Sequence, residues 1–334
     1  MKRTVFVLLL LVVAVLSSLA QRVSSYQSGS YYPNLLSLRD YAAAPAGLIF
    51  ADYNIWFNTK GYYDRDGNKF EPGSNLQPPF DKLGSNIDPK INGYTNMFLL
   101  FYVSRSKILG ARYMASVSPM YLNMEYSGAL TTVDTSFTVS GKSSGFGDLA
   151  VMPLGLSWSK EKIDIAFMYS IYIPTGRYET GGDDNLGTGF WTHQLQLPTY
   201  LYALEKATAL AIIPTLEFSG KVKDADVSQG SRFTLEYGIS QYFTTWLEVE
   251  VMNGHNWQIS DDKGSDVWWS GTAVGDHDSK NAFSVGINAW PIENVLQLRL
   301  KFIQDYGVKQ RFKNQLWHFS LIFMPGILAD KSGN

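Results

Sequence analysis

The chain of 334 residues contains no cysteine, so disulfides and thiolate metal sites are excluded. It carries little net charge, −2 at a pI near 6.1, which removes the electrostatic reason to expect a nucleic-acid partner. Histidine is scarce. Of His193, His255, His277 and His318, none has a Ser or Asp at a spacing that would complete a triad, and partners would have to come from distant strands. Asp261, Asp262, Asp266, Asp276 and Asp278 share segment 255–280 with His255 and His277, but without the regular oxygen-ligand spacing of a calcium loop. That segment is expected to be a solvated acidic loop. No catalytic residue, cofactor or metal ligand is assigned.

Long apolar runs are also missing, with one exception. Lys2 and Arg3 precede an apolar stretch from Val5 to Leu16, followed by Ser18-Leu19-Ala20. This is the pattern of a secretory signal peptide over 1–20, too short for a spanning helix. Cleavage after Ala20 would start the mature chain at Gln21. Beyond residue 47 there is no linker composition, solenoid-length repeat or charge block, so one domain is expected.

What is abundant is aromatic: 9 Trp, 20 Tyr and 19 Phe, despite a mean hydropathy of only −0.10. An outer-membrane barrel reconciles the two, because only alternate strand residues face lipid. Twelve strand-like segments follow Gly47, at about 48–60, 94–104, 108–126, 146–158, 163–175, 190–203, 207–219, 231–242, 244–254, 281–290, 295–306 and 311–324. Many approach the 9–11 residues that a tilted spanning strand needs, about twice the length of soluble strands. Connections after even-numbered strands are tight, and those after odd-numbered strands are mostly long and polar. That asymmetry belongs to a closed transmembrane antiparallel up-and-down β-barrel with short periplasmic turns and long outer loops. Barrel residues are expected over 47–324, with a tail over 325–334. An even strand count would leave both ends of the mature chain in the periplasm. The expected location is the outer membrane, with its lipid and lipopolysaccharide, the barrel assembly machinery and a small-molecule solute as partners.

Alternation separates the two faces. Phe233, Leu235, Tyr237 and Ile239 oppose Arg232, Thr234 and Glu236; Leu296, Leu298 and Leu300 oppose Arg299 and Lys301; Leu247, Val249 and Val251 oppose Glu248 and Glu250. The lumen is thereby assigned Glu217, Arg232, Glu236, Glu248, Glu250, Arg299 and Lys301, with Arg112 inward on the third strand. Acidic and basic walls would face each other across a narrow passage, or the charges would pair and close it. Met97–Val103 is apolar on both faces, so its inner side needs a cover. Segment 21–46 either tucks into the lumen as a plug or crosses the periplasmic mouth. Pro119, Pro153, Pro174, Pro198 and Pro214 fall in five successive strands. They mark bulges and strand ends, or else a locally unzipped wall through which an apolar solute leaves sideways.

A resemblance is carried by Gly145, Gly147 and Asp148 followed by Pro153, then Pro174-Thr175-Gly176 with Tyr178, then Gly187-Thr188-Gly189. With Tyr32-Pro33, Leu38-Arg39-Asp40 and Pro45-Ala46-Gly47, these resemble the outer-membrane family named for the meta-pathway of phenol degradation. The resemblance runs from about residue 29 to the carboxyl end. It implies a transporter-like barrel linked to catabolism of aromatic or hydrophobic compounds. With the lumen so lined, passive uptake of small, hydrophobic or aromatic solutes is expected first, a closed structural or surface-interaction barrel is the alternative, and an outer-membrane hydrolase is the least favoured reading. Read physically, Gly176, Gly181, Gly182, Gly187 and Gly189 are expected to supply positive φ in a compact loop. Neither their spacing nor a following helix matches a nucleotide loop.

Overall fold

The structure is a computed structural model that describes residues 29–63, 66–69, 86–87, 90–131, 136–180, 184–264 and 277–325. The signal-peptide reading, Gly181, Gly182 and nearly all of the tail lie outside the described residues.

All twelve expected strands are present. They are β1 (Gly47–Tyr63), β2 (Lys90–Ile108), β3 (Ala111–Ser118 and Met120–Thr131), β4 (Ser136–Phe146 and Leu149–Ser159), β5 (Ile163–Ile173), β6 (Thr192–Gln196 and Thr199–Ala203), β7 (Thr208–Ser219), β8 (Arg232–Tyr242), β9 (Leu247–Gln258), β10 (Ser279–Ile292), β11 (Leu296–Lys309) and β12 (Arg311–Phe323). Each pairs antiparallel with its neighbours in sequence. β1 closes the barrel by pairing with β2 on one side and with β12 on the other, in the register Phe50↔Phe323 to Asn58↔Gln315. Closure removes the edges that a sheet cannot leave unpaired in lipid.

Strand ends differ from expectation in several places: Arg105-Ser106-Lys107, expected as a turn, lie in β2, and the turn is Leu109-Gly110. Segment 127–145, expected as a loop, is mostly strand, because the β3–β4 ladder continues outward from Tyr121↔Phe146 to Thr131↔Ser136. β9 likewise runs on to Gln258, which puts His255 in a strand rather than in the acidic loop. Polar strand residues beyond the apolar belt lose the alternation by which sequence marks a strand.

Parity is as the sequence predicts. Glu217, Arg232, Glu236, Glu248, Glu250, Arg299 and Lys301 are all buried inside, while Tyr237, Val251 and Leu300 are exposed outside. Val251 lies midway between Trp246 and Trp257 on the outer face. Val251→Arg is therefore expected to cost about 2–4 kcal/mol of barrel stability and Val251→Leu almost nothing, as read by urea unfolding in lipid vesicles. Equal costs would place this face inside.

Three of the prolines sit at breaks or register shifts of the ladder. Pro119 and Pro198 sit in the breaks of β3 and β6, and Pro153 sits at the register shift between Val151 and Leu154. Pro174 follows the last residue of β5. The carbonyls of Pro119, Pro198 and Pro214 still accept from Phe98, Ala166 and Leu197 of neighbouring strands at 3.1, 2.9 and 3.1 Å. Only the donor is lost at each, which is what a strand proline removes.

Candidate functional site: a lumen filled from the amino terminus

Residues 29–46 run through the lumen from the long-loop end down to the start of β1. At the outer end Ser30 Oγ donates to Thr192 Oγ1 at 2.9 Å; at the other, Arg112 donates to the Ala44 carbonyl at 3.2 Å. Residue 29 thus lies near the outer mouth, while the expected mature end at Gln21 lies outside the described residues. The count fixes where β1 starts but not where the chain before it goes.

An irregular segment inside a barrel must find partners for its backbone polar groups. Here the wall carboxylates supply them. Glu217 Oε1 accepts from the backbone N–H of Ser30 and of Tyr31 at 2.9 and 3.0 Å. Glu236 Oε1 accepts from Asn34 N at 2.5 Å and Glu250 Oε2 from Leu38 N at 2.8 Å. Wall donors take the carbonyls: Lys301 Nζ reaches Leu36 O at 2.6 Å and Tyr200 OH reaches Leu38 O at 2.5 Å. The acids and bases read from sequence are, in large part, the seat of this segment.

The segment's own side chains complete the seat. Residues Leu38–Tyr41 form a single 3-10 turn. From it Arg39 Nε donates to Glu248 Oε1 at 2.6 Å, and its guanidinium lies 4.9 Å from the centre of the Tyr242 ring. Asp40 forms an ion pair with Arg299, and Lys301 pairs with Glu250 at 3.1 Å. Tyr31 donates its hydroxyl to Glu236 and meets the Tyr41 hydroxyl at 2.5 Å. Burial first, then Glu236 and Tyr41, hold the Tyr31 phenol well above its ordinary pKa, so it remains a neutral donor.

Opposed walls across a passage are not what these charges make. Arg299 and Lys301 on β11 stand only two strands from Glu248 and Glu250 on β9, on one side of the barrel. Gly286 of β10 lies between them, and a Cβ there would come within 2.9 Å of Glu250. Nearer the outer end Arg232 forms an ion pair with Asp278, which Arg311 also approaches at 3.4 Å; Lys280 lies 3.8 Å from Asp305. Asp278 is buried, so it is a lumen residue and not part of a solvated acidic loop. Arg112 stands apart from both groups. Among the described residues no cluster suited to a metal ion occurs.

The opposite wall is apolar. Met97, Leu99 and Phe101 of β2 pack against the core that contains Leu38 and Tyr41, so the inner face of 97–103 is covered in part by the segment. Beside it lies a cavity of about 360 Å³. Ile49, Leu99, Phe101, Met152 and Met168 form its apolar side, and Arg39, Asp40 and Arg299 its polar side. Lys206 and Asn294, from the short-turn end, line its mouth.

The glycine and aspartate motifs form a separate feature in the wall. Asp148, buried between the two halves of β4, accepts from Gly176 N at 3.1 Å, Thr188 N at 2.8 Å and Thr188 Oγ1 at 2.6 Å. Thr175 Oγ1 accepts from Leu149 N at 3.0 Å and donates to Gly147 O at 3.2 Å. Residues 174–180 and 184–191 are thereby pinned over the outer half of β4, which among the described residues has no strand partner on that side. Only Gly189 of the loop's described glycines has a positive φ, +73°, and it packs on the Tyr178 ring. Gly176 and Gly187 do something other than expected: a Cβ on Gly176 would lie 2.7 Å from the Gly187 Cα, and one on Gly187 2.6 Å from Asp148 Oδ1. They permit close approach. Pro153 is not part of this clasp. Asp148→Ala strands the Gly176 and Thr188 N–H donors at about 1–3 kcal/mol each, while the Thr188 hydroxyl keeps the Phe190 carbonyl, so the loop should become open to proteolysis on intact cells while the barrel stays folded. Unchanged protease resistance would contradict the clasp.

The barrel fold agrees with the comparisons. The model of the family described as "Putative MetA-pathway of phenol degradation" matches residues 64–317. The chain belongs to that family. The match omits the lumen segment, although the sequence resemblance extends back to about residue 29. Among solved structures, the crystal structure of an outer membrane channel from Pseudomonas putida F1 is similar, with a TM-score of 0.63 at 17% identity, over 86% of this chain and 99% of that one. The translocator domain of the autotransporter NalP from Neisseria meningitidis gives a TM-score of 0.45 at 10% identity, over 85% and 90%. The first likeness shows the fold, a barrel of the outer-membrane type. No curated protein sequence matches the chain.

Arg39, Asp40, Tyr31 and Asn34 were not legible as site residues, since a segment without periodicity gives no face to assign. The one signal was local: Leu38-Arg39-Asp40 lies in the amino-terminal part of the resemblance.

Proposed function

We propose that this barrel is a passive route for small apolar or aromatic solutes across the outer membrane, and that residues 29–46 occlude it in the state described. The observation that supports this is the cavity of about 360 Å³ between an apolar wall and the lumen segment, within the size range of small-molecule sites. Its apolar side suits a hydrocarbon or ring, while Arg39 and Arg299, neutralised by Glu248 and Asp40, offer hydrogen bonds on the polar side. A solute that binds better with the segment displaced would shift the barrel toward its open form.

The closed structural barrel remains a reading with its own support, because the lumen charges are paired. Planar-bilayer recordings of the full chain separate the two. Brief openings that lengthen when an aromatic solute is added support uptake. Silence with solute present, and in a variant whose segment has been freed from the wall, supports a closed barrel.

A further inference from the structure

The outer face of the barrel carries two polar clusters within its apolar belt. The first is on β1 and β2. Ile49, Ala51, Tyr53 and Ile55 are buried inside, so parity turns Phe50, Asp52, Asn54 and Trp56 outward. Trp56 meets the Tyr94 ring at 5.4 Å. Asp52 pairs with Phe98, halfway along β2 between Tyr94 and Tyr102. Four residues of tilted strand put Asp52 about 10 Å below Trp56, inside the hydrocarbon layer. Its carboxylate accepts from Asn96 Nδ2 at 2.6 Å and from Asn54 Nδ2 at 2.9 Å, and Tyr94 OH donates to Asn54 Oδ1 at 2.5 Å. Two donors leave about half of a carboxylate's acceptor capacity unused. A charge facing lipid in that state is costly.

The second cluster is on β8 to β11. The His255 ring stacks on Trp257 at 5.4 Å; its Nδ1 lies 2.6 Å from Asn281 Oδ1 and its Nε2 3.2 Å from Tyr237 OH. Asn253 Nδ2 donates to Tyr237 OH at 2.9 Å, and Tyr306 OH donates to Asn253 Oδ1 at 2.9 Å. Asn253 lies four residues below Trp257, as Asp52 lies four below Trp56. The two clusters are at matching depth on different faces.

We propose that the Asp52 face of one barrel packs against the His255 face of a second copy. Two upright copies bring the faces together at one level in the membrane. The contact sets an acceptor-rich carboxylate against the amide side chains of Asn253 and Asn281, which are uncharged and can donate. Packing like with like would instead bring two carboxylates together in hydrocarbon. A contact between unlike faces generates a ring or an open array.

The chain has no cysteine, so an introduced thiol is unique. The test co-expresses two full-length variants with tags of different size, Asn54→Cys and Asn253→Cys, and oxidises intact outer membranes. A disulfide-linked dimer carrying both tags, absent when either variant is expressed alone, is the expected result. The pair Phe50→Cys and Val251→Cys, six residues below the same tryptophans, repeats the test should Asn54→Cys fail the heat-modifiability check for folding. No mixed dimer with either folded pair overturns the proposal. So does a dimer of Asn54→Cys alone in equal yield, or equal cross-linking of Asn54→Cys to Leu201→Cys on β6.

Discussion

Replacing Glu248 and Glu250 together by glutamine should open the lumen to sustained, anion-selective conductance. Glu248 holds Arg39, while Glu250 holds both the Leu38 N–H and Lys301. Neutralising both leaves Arg39 and Lys301 as buried charges without their anions, and breaking a buried pair from one side costs about 3–5 kcal/mol. Two such losses exceed what one 3-10 turn can hold against water. The wall itself is held by backbone ladders on both sides of β9, which the substitutions do not touch. The segment should therefore leave and the barrel remain. Lys301 and Arg299 would then line an open, water-filled lumen, and their charge favours anions. Reversal potentials in a salt gradient measure this, with a heat-modifiability gel as the control for folding. A folded double variant that stays silent would show that the segment is not what occludes the lumen.

The converse experiment locks the segment in place. A Cβ at Gly254 would lie 2.8 Å from the Pro33 Cβ, close enough that a shift of under 1 Å gives disulfide geometry. With no native cysteine to compete, Pro33→Cys/Gly254→Cys should form one bond between the segment and β9. Oxidised, this variant should lose all solute-dependent conductance; reduced, it should recover it. A thiol reagent added in the recording chamber reads both states in one membrane. Conductance that ignores the redox state would mean that solutes pass without moving residues 29–46, and the occlusion model would fail. The lock and the double glutamine variant act in opposite directions on the same segment, so a general loss of folding cannot imitate both.

Much of the fold was legible before any coordinates. Leu235, Tyr237 and Ile239 against Glu236, or Leu298 and Leu300 against Arg299, state the face of each residue, because a strand has a period of two. Tight turns alternating with long loops gave the twelve-strand order, because a closed barrel returns each hairpin to the same side. What escaped was whatever has no period: residues 127–131 of β3 and 136–145 of β4, the path of residues 29–46, and the partners of Glu217 and Glu236.

Sequence by itself thus determined a cysteine-free chain with a twelve-strand alternating wall, and which charges point inward. It also placed the glycine and aspartate motifs, though not their purpose. Only tertiary structure decided what the inward charges meet. Glu236 reads the same in sequence whether it faces water, a lysine or a backbone N–H; it is the chain from Ser30 to Pro45, threaded through the lumen, that makes it a hydrogen-bond acceptor for Asn34. The same holds for Asp148, Gly176 and Gly187, which lie 28 and 39 residues apart along the chain from the aspartate and meet only because β4 and β5 pair. Alternation is a local property and survives in one dimension. Pairing between distant segments depends on which surfaces the closed barrel brings together, and that is fixed only in three.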